Sequence, residues 1–222
     1  MKKIVLLLLP VSLVCFFGSA IAATDSPASM HQGEAASASL LANELVDIQE
    51  RFGQSGRNIV YLRIDVLDCS MKRYRVVNGQ GEPRLVFEEE YVVGTPKTRF
   101  YPKGKGIITN IEYRPWWYPT AETVAEFKKR GKHLEKFRDA QGKIAIPPGH
   151  RLNFMGPIKM KITFIDPQAT AKLGRMVYRI HGNLDTTKLG TRCSGGCIRM
   201  DNHEIKMLAK NAKGKTIIID YI

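Results

Sequence analysis

The amino-acid sequence predicts a mostly β domain with short helices, folded as a β sandwich or partly closed barrel, over residues 58–222. Three observations lead there. Short runs dominated by Val, Ile, Tyr and Thr recur along this part of the chain, the residue types that fit a pleated, half-buried surface. Turn signals such as Asn78-Gly79 and Gly94-Thr95-Pro96 separate the runs. Only two stretches show helical periodicity within the β pattern. Seven or so strands in about 165 residues suit one mostly antiparallel domain around a single core.

Taken in order, the chain opens Met1-Lys2-Lys3, runs apolar from Ile4 to Phe17 and reaches Ala20-Ile21-Ala22. Basic start, apolar centre and small-residue cleavage box predict a secretory signal peptide over residues 1–22. The apolar run falls short of the ~20 residues that span a bilayer, so export is expected over anchoring. Val14 stands before Cys15 where lipoprotein processing wants a small residue, which argues against lipidation. Residues 23–38 are small and polar and read as a tether. Leu41, Leu45, Ile48 and Phe52 then recur at helical spacing, so residues 23–57 are expected to be a tether and one short amphipathic helix.

The predicted strands follow at Ile59–Leu67, Tyr74–Val77, Leu85–Val93, Gly106–Tyr113, Met160–Phe164, Val177–Ile180 and Thr216–Ile222. Between the fourth and fifth, Thr120–Phe137 has a Thr cap, Glu122 in its first turn and a break at Gly131, the marks of a helical insertion beside the sheet. Its stretch Phe127–Arg138 is strongly basic and is expected to lie over the cleft as a lid that steers anions. Before the last strand, Asp201 with Glu204 three residues on predicts a capping box, with Ile205, Leu208 and Ala212 as the apolar face and Gly214 as the stop.

Removing residues 1–22 takes away two lysines and no acid, so the net charge of +13 falls to +11. For an exported protein, so basic a balance favours cell-wall polymers or membrane surfaces over nucleic acid, or serves solubility alone. Three cysteines stay in the mature chain, Cys69, Cys193 and Cys197. In an oxidising compartment an odd count leaves one thiol free or paired between chains.

The segment that carries chemistry is Tyr178-Arg179-Ile180-His181-Gly182 followed by Cys193-Ser194-Gly195-Gly196-Cys197-Ile198-Arg199-Met200. A thiol attacks carbonyls as thiolate, so a reactive cysteine needs an imidazole or a positive dipole beside it. His181 closes a predicted strand, and the connection to Cys197 is long enough to return the thiol to it. The helix predicted from Asp201 would add its N-terminal dipole near the thiol. Gly195 and Gly196 would let backbone N–H groups approach a developing oxyanion.

These residues resemble the L,D-transpeptidase family, whose signature is His-Gly, a mid-teens spacing and Ser-x-Gly-Cys-(Ile/Val)-Arg-(Met/Leu). The resemblance extends to Val93-Gly94-Thr95-Pro96 with Tyr101–Gly106, to Trp116-Trp117-Tyr118-Pro119, and to Ile146-Pro147-Pro148-Gly149 through Asn153-Phe154-Met155-Gly156. It implies a catalytic domain of that type over residues 58–222, with Cys197 as nucleophile and His181 as general acid and base. It further implies oxyanion donors at the Gly196 and Cys197 N–H groups, a turn shaped by Ser194 and Gly195, and substrate contacts from Arg199, Gly182 and Tyr178. Arg199 would hold a substrate carboxylate or brace the loop. The implied substrate is a peptidoglycan tetrapeptide stem, which loses D-alanine as a thioester forms. The acceptor would be another stem's amine, a lysine of a wall-anchored lipoprotein, or water, with no cofactor or metal and membrane contact only during export. The implied location is the periplasm or the outer wall face. Gly195 stands where many members carry His or another larger residue, and Tyr101 and Gly106 replace a Thr and a Phe of the family pattern.

Other readings of the same residues stand beside this one. Cys193 and Cys197 could form a disulfide, or Cys69 and Cys193 could pair and leave Cys197 free. Cys193, Cys197 and His181 could ligate zinc, although no Cys-x-x-Cys or His-x-x-x-His pair supports it. Trp116-Trp117-Tyr118 could stack on sugars or lie in the core. His31, His133, His150 and His203 read as surface residues. Besides a transferase, the chain could be a thioester hydrolase, acting as an L,D-carboxypeptidase or a lipoprotein-detaching amidase, or a wall-binding module without catalysis.

Overall fold

The computed structural model describes residues 58–77, 84–97, 104–165 and 178–222. The expected signal peptide, tether and first helix lie outside them. Among the described residues ten strands and two α-helices follow one another. Strands β1 (Ile59–Asp65), β2 (Ser70–Val77), β3 (Arg84–Val92), β4 (Thr95–Pro96) and β5 (Gly104–Tyr113) come first, then helix α1 (Ala121–Lys129). Strands β6 (Ile158–Phe164), β7 (Arg179–Gly182), β8 (Arg192–Ser194) and β9 (Ile198–Met200), helix α2 (Asn202–Asn211) and strand β10 (Thr216–Tyr221) complete the fold.

Eight strands make one sheet in the order β3-β2-β1-β10-β5-β6-β7-β9, and β4 pairs with β8 in a small second sheet. Most pairs are antiparallel, as expected, but β1–β10, β7–β9 and β4–β8 run parallel. The barrel is partly closed by two backbone bonds. Gly94, two residues beyond β3 at one edge, exchanges N–H···O bonds of 2.8 Å in both directions with Arg199 of β9 at the other edge.

Strand β1 shows why the hydrophobic runs are continuous. Val60, Leu62 and Ile64 face the main core, while Ile59 and Tyr61 enter a smaller cluster with Val76 and Ile218 on the opposite face. The main core also holds Met160, Ile180, Ile198 and Met200 from the sheet and Ile205, Leu208 and Ala209 from α2. Asp201 caps α2 by accepting from the His203 and Glu204 N–H groups, the former at 2.7 Å.

Three features differ from the sequence expectation. Strand β2 begins at Ser70, not Tyr74, because its basic residues are answered across the ladder by β3: Lys72 by Glu90, Arg73 by Glu88 and Glu89, and Arg75 by Glu88. Strands β4, β8 and β9 have two or three residues each and leave no periodic signal. The stretch Thr120–Phe137 is a shorter helix, α1, capped by Thr120 and followed by Gly131 at φ +69° and a 3-10 turn at Glu135–Phe137. The insertion between β5 and β6 has its own core of Trp117, Phe127, Leu134, Ile144, Ile146 and Leu152. Within the Trp-Trp-Tyr run, Trp117 is buried while Trp116 and Tyr118 are exposed. His150 is partly buried and structural: its Nδ1 accepts from the Leu152 N–H at 3.1 Å and its ring packs edge-on against Phe137.

Candidate active site

Strand register assembles the site. On β6 and β7, Lys159 pairs with His181, Met160 with Ile180 and Lys161 with Arg179. On β7 and β9, Ile180 pairs with Ile198 and His181 with Arg199. Because side chains alternate along strands, Met160, Ile180 and Ile198 form the fully buried inner row, and Lys159, His181 and Arg199 form an outer row across three strands, an imidazole flanked by two cationic side chains. Glu112 of β5 pairs with Lys159 in register and by a salt bridge. Continuing the β7–β9 register one residue back sets Cys197 opposite Arg179.

His181 is 3% exposed, and its Nδ1 lies 2.6 Å from the Gly182 carbonyl oxygen. A carbonyl only accepts, so Nδ1 carries the proton and Nε2 is left bare in the neutral ring. Burial, above all, pushes the imidazole down to about 4, with Arg199, Arg179 and Lys159 adding to the effect and the Gly182 bond opposing it. His181 is therefore neutral at physiological pH.

Cys197 is half-buried, and that burial pushes its thiol up. Arg179 counters this most, by its charge and by hydrogen bonds to the sulfur from both guanidinium and backbone, and the charge of Arg199 adds to it. Burial thus disfavours charge on both His181 and Cys197, and the neighbouring guanidiniums of Arg179 and Arg199 oppose that effect at the thiol. Along the chain the three-residue β9 separates Cys197 from α2, so the thiol does not sit in the turn that leads directly into the helix.

The turn before Cys197 is clamped by Ser194, whose hydroxyl donates to the Cys197 carbonyl at 2.5 Å and accepts from the Gly196 N–H at 3.2 Å. Gly196 takes φ +155°, a conformation side chains rarely adopt. Gly195 is exposed, and a Cβ there would meet nothing within 4 Å. Arg199 directs Nη1 toward Cys193 Sγ at 3.9 Å while its backbone pairs with Gly94. Gly182 and Tyr178 are buried. Gly182 packs against Gly156, Pro157 and Asn202, and Tyr178 lies under Gly196, 3.7 Å from where a Cβ would stand, so both shape the site from within. Cys69, Cys193 and Cys197 are all free thiols, and Cys69 Sγ lies 3.2 Å from Thr95 Oγ1. Among the described residues no group of three His, Cys, Asp or Glu side chains is gathered as a metal site.

Arg179, Lys159 and Gly94 were not assigned from sequence. Arg179 carried a usable signal, since it stands two residues before His181 on a predicted strand and so shares its face. Lys159 and Gly94 come from distant segments brought in by register, which no local pattern encodes.

Known proteins share this chain's pattern. Residues 60–219 match the YkuD family model, the L,D-transpeptidase catalytic domain. A Salmonella typhimurium protein named "Probable L,D-transpeptidase ErfK/SrfK" is 32% identical over 188 residues, 79% of this chain and 52% of that protein. An Escherichia coli K12 protein named "Probable L,D-transpeptidase YbiS" is 30% identical over 145 residues, 60% of this chain and 40% of that protein. The chain thus spans about half or less of the length of these curated relatives. Among solved structures, Bdellovibrio bacteriovorus Bd1075 aligns with a TM-score of 0.46 at 15% identity, over 73% of this chain and 47% of that one. The match of the family model across most of the chain, over the strand that carries His181 and the turn that carries Cys197, makes this chain a member of the L,D-transpeptidase catalytic domain family.

Proposed function

We propose that the chain is a cysteine acyltransferase working outside the cytoplasm on peptidoglycan stems. The observation that supports this is the register of β7 with β9, which brings the residue before β9, Cys197, to the strand that carries His181, a buried imidazole whose Nδ1 is tied to the Gly182 carbonyl. In this reading Nε2 of His181 takes the thiol proton as Cys197 Sγ attacks the carbonyl after the third residue of a tetrapeptide stem. The S–C bond forms, the C–N bond to D-alanine breaks, and the imidazolium returns the proton to the leaving amine. An acceptor amine then attacks the thioester carbonyl, gives its proton to His181 and restores the thiol.

The Gly196 N–H already donates to Ser194 Oγ, so the Cys197 N–H is the principal oxyanion donor in this scheme. Arg199, at the edge of the outer row, offers its guanidinium to a stem carboxylate. The open ground at Gly195 leaves the acceptor side unobstructed, which suits a bulky amine such as a second stem or a protein lysine. Incubation with a purified tetrapeptide muropeptide tests the reading. The wild type releases D-alanine and forms a cross-linked dimer or a lysine adduct, and folded Cys197→Ala does neither. Turnover in the alanine variant removes the nucleophile, and release of tripeptide alone moves the assignment to hydrolysis.

A further inference from the structure

The two β7 side chains that share His181's face divide the task of making Cys197 reactive. A neutral imidazole can accept a proton but holds no charge with which to keep a thiolate. Arg179 carries a guanidinium, stands opposite Cys197 when the β7–β9 register is continued one residue back, and does most to offset the effect of burial on the thiol. Arg199 has a different geometry: its Nη1 is turned toward Cys193, and it acts on Cys197 through space alone. The other titratable groups that sense the thiol are Tyr178, just before β7, and Tyr221 of β10, with His181 on the same face of β7 as Arg179. Lys159 acts on His181 from β6 with Glu112 paired to it, and Cys193 of β8 lies beyond Arg199. The two phenols are pushed up by burial first and by a Cys197 charge second, so they do not stabilise a thiolate.

We propose that Arg179 is a catalytic residue, whose guanidinium holds the Cys197 sulfur as a thiolate from the moment His181 removes its proton until the S–C bond forms. This deepens the acyltransferase reading and rests on it for the identity of the electrophile, but not for the state of the thiol. In the first step the proton passes from Sγ to Nε2 of His181, and the negative charge left on sulfur is met by Arg179. On acylation the sulfur becomes neutral and the guanidinium bond weakens, which frees Arg179 toward the acyl group's own anionic atoms.

The experiment follows the alkylation rate of Cys197 by iodoacetamide against pH, read by peptide mass, in the wild type and in Arg179→Gln, Arg179→Lys and Arg199→Gln. Melting curves establish that each variant is folded. Arg179→Gln should slow alkylation at pH 7 about tenfold or more and move the rise of the profile to higher pH. Arg179→Lys should recover part of both, and Arg199→Gln should change both less than Arg179→Gln does. A folded Arg179→Gln with an unchanged profile overturns the proposal, as does an Arg199→Gln effect larger than its own. Should Arg179→Gln fail to fold, Arg179→Lys serves alone: slower alkylation with the rise moved to higher pH supports the assignment, and a profile identical to wild type overturns it. Alkylation needs no stem peptide, so failure on muropeptides with this pattern intact would sink the substrate reading alone.

Discussion

At the β7–β9 corner, side chains are placed by strand register: Lys159, His181 and Arg199 stand in one row because three strands pair, and Ile180 under them is fully buried. In the insertion between β5 and β6 the chain has one helix of nine residues and much irregular backbone, and shape is held instead by aromatic contacts. Trp117, Phe127 and Phe154 pack with ring centroids 5.3–5.8 Å apart, and Asn153 Nδ2 donates to the carbonyls of Pro115, Ile146 and Pro147. The corner is therefore rigid about charged groups that a looser frame would let water reach, while the insertion surrounds a separate apolar centre and shows its charges to solvent. The two meet where Gly156 backs onto Gly182: a Cβ on Gly156 would lie 2.7 Å from the Gly182 Cα and 2.8 Å from its carbonyl carbon.

That junction gives the largest expected effect. Gly156→Ala must force backbone away from backbone at the residue after His181, and it must also hold φ +66° with a side chain, together about 4 kcal/mol. Gly149 has φ +78° and nothing within 4 Å of its Cβ position, so Gly149→Ala should cost only about 1–2 kcal/mol. Urea unfolding gives both numbers. Muropeptide turnover should collapse in Gly156→Ala even at temperatures where it is folded, and persist in Gly149→Ala. Equal losses in the two variants would mean that the strain of φ, not the contact of the two regions, is what matters.

The corner's burial predicts the next effect. Unfolding returns His181 from about 4 to its ordinary value of 6.5, so between those values the unfolded chain binds the proton that the folded chain refuses. The contribution is present in full above pH 6.5 and is lost as pH falls through 4, in total about 3 kcal/mol. Unfolding free energies of the wild type and of His181→Gln should thus diverge in slope over this window, with the glutamine variant flatter. Parallel slopes would show that His181 is not buried as a neutral ring.

How legible each region was in the sequence follows from the same contrast. Cys197 and His181 were legible as candidates because each sits in a short segment whose neighbours, Gly182, Ser194 and Gly196, are required locally for packing or a turn. The place of Lys159 in the outer row and the bond of Gly94 to Arg199 were not legible, since both come from pairings over long sequence separations. In the insertion the Thr120 cap and the Gly131 break were readable as local signals. The burial of Trp117 between two exposed aromatics was not, because irregular backbone has no period to reveal which side faces inward.

The smallest effect is the sharpest test of whether the two regions work together. Lys128, Lys129, Arg130, Lys132, Lys136 and Arg138 make one basic stretch on the insertion, and all six are exposed. Arg130 is answered by Glu126, and Lys132 and Lys136 lie over the Phe127 and Phe137 rings at 5.7 and 5.3 Å, so part of this charge is already engaged in holding the insertion together. Lys128 and Lys129, in the last turn of α1, also favour the carbonyl end of that helix. If the stretch steers an anionic stem toward the corner, reversing Lys128, Lys129 and Lys132 to Glu should lower kcat/KM several-fold at low ionic strength, and the deficit should shrink as salt shortens the Debye length to about 8 Å near physiological strength. Lys132→Glu also uncovers Phe127, so the Lys128, Lys129 double reversal should reproduce most of the salt-dependent part without the packing loss. A kcat/KM unchanged at both low and high salt would leave the insertion's charge as a solvated face.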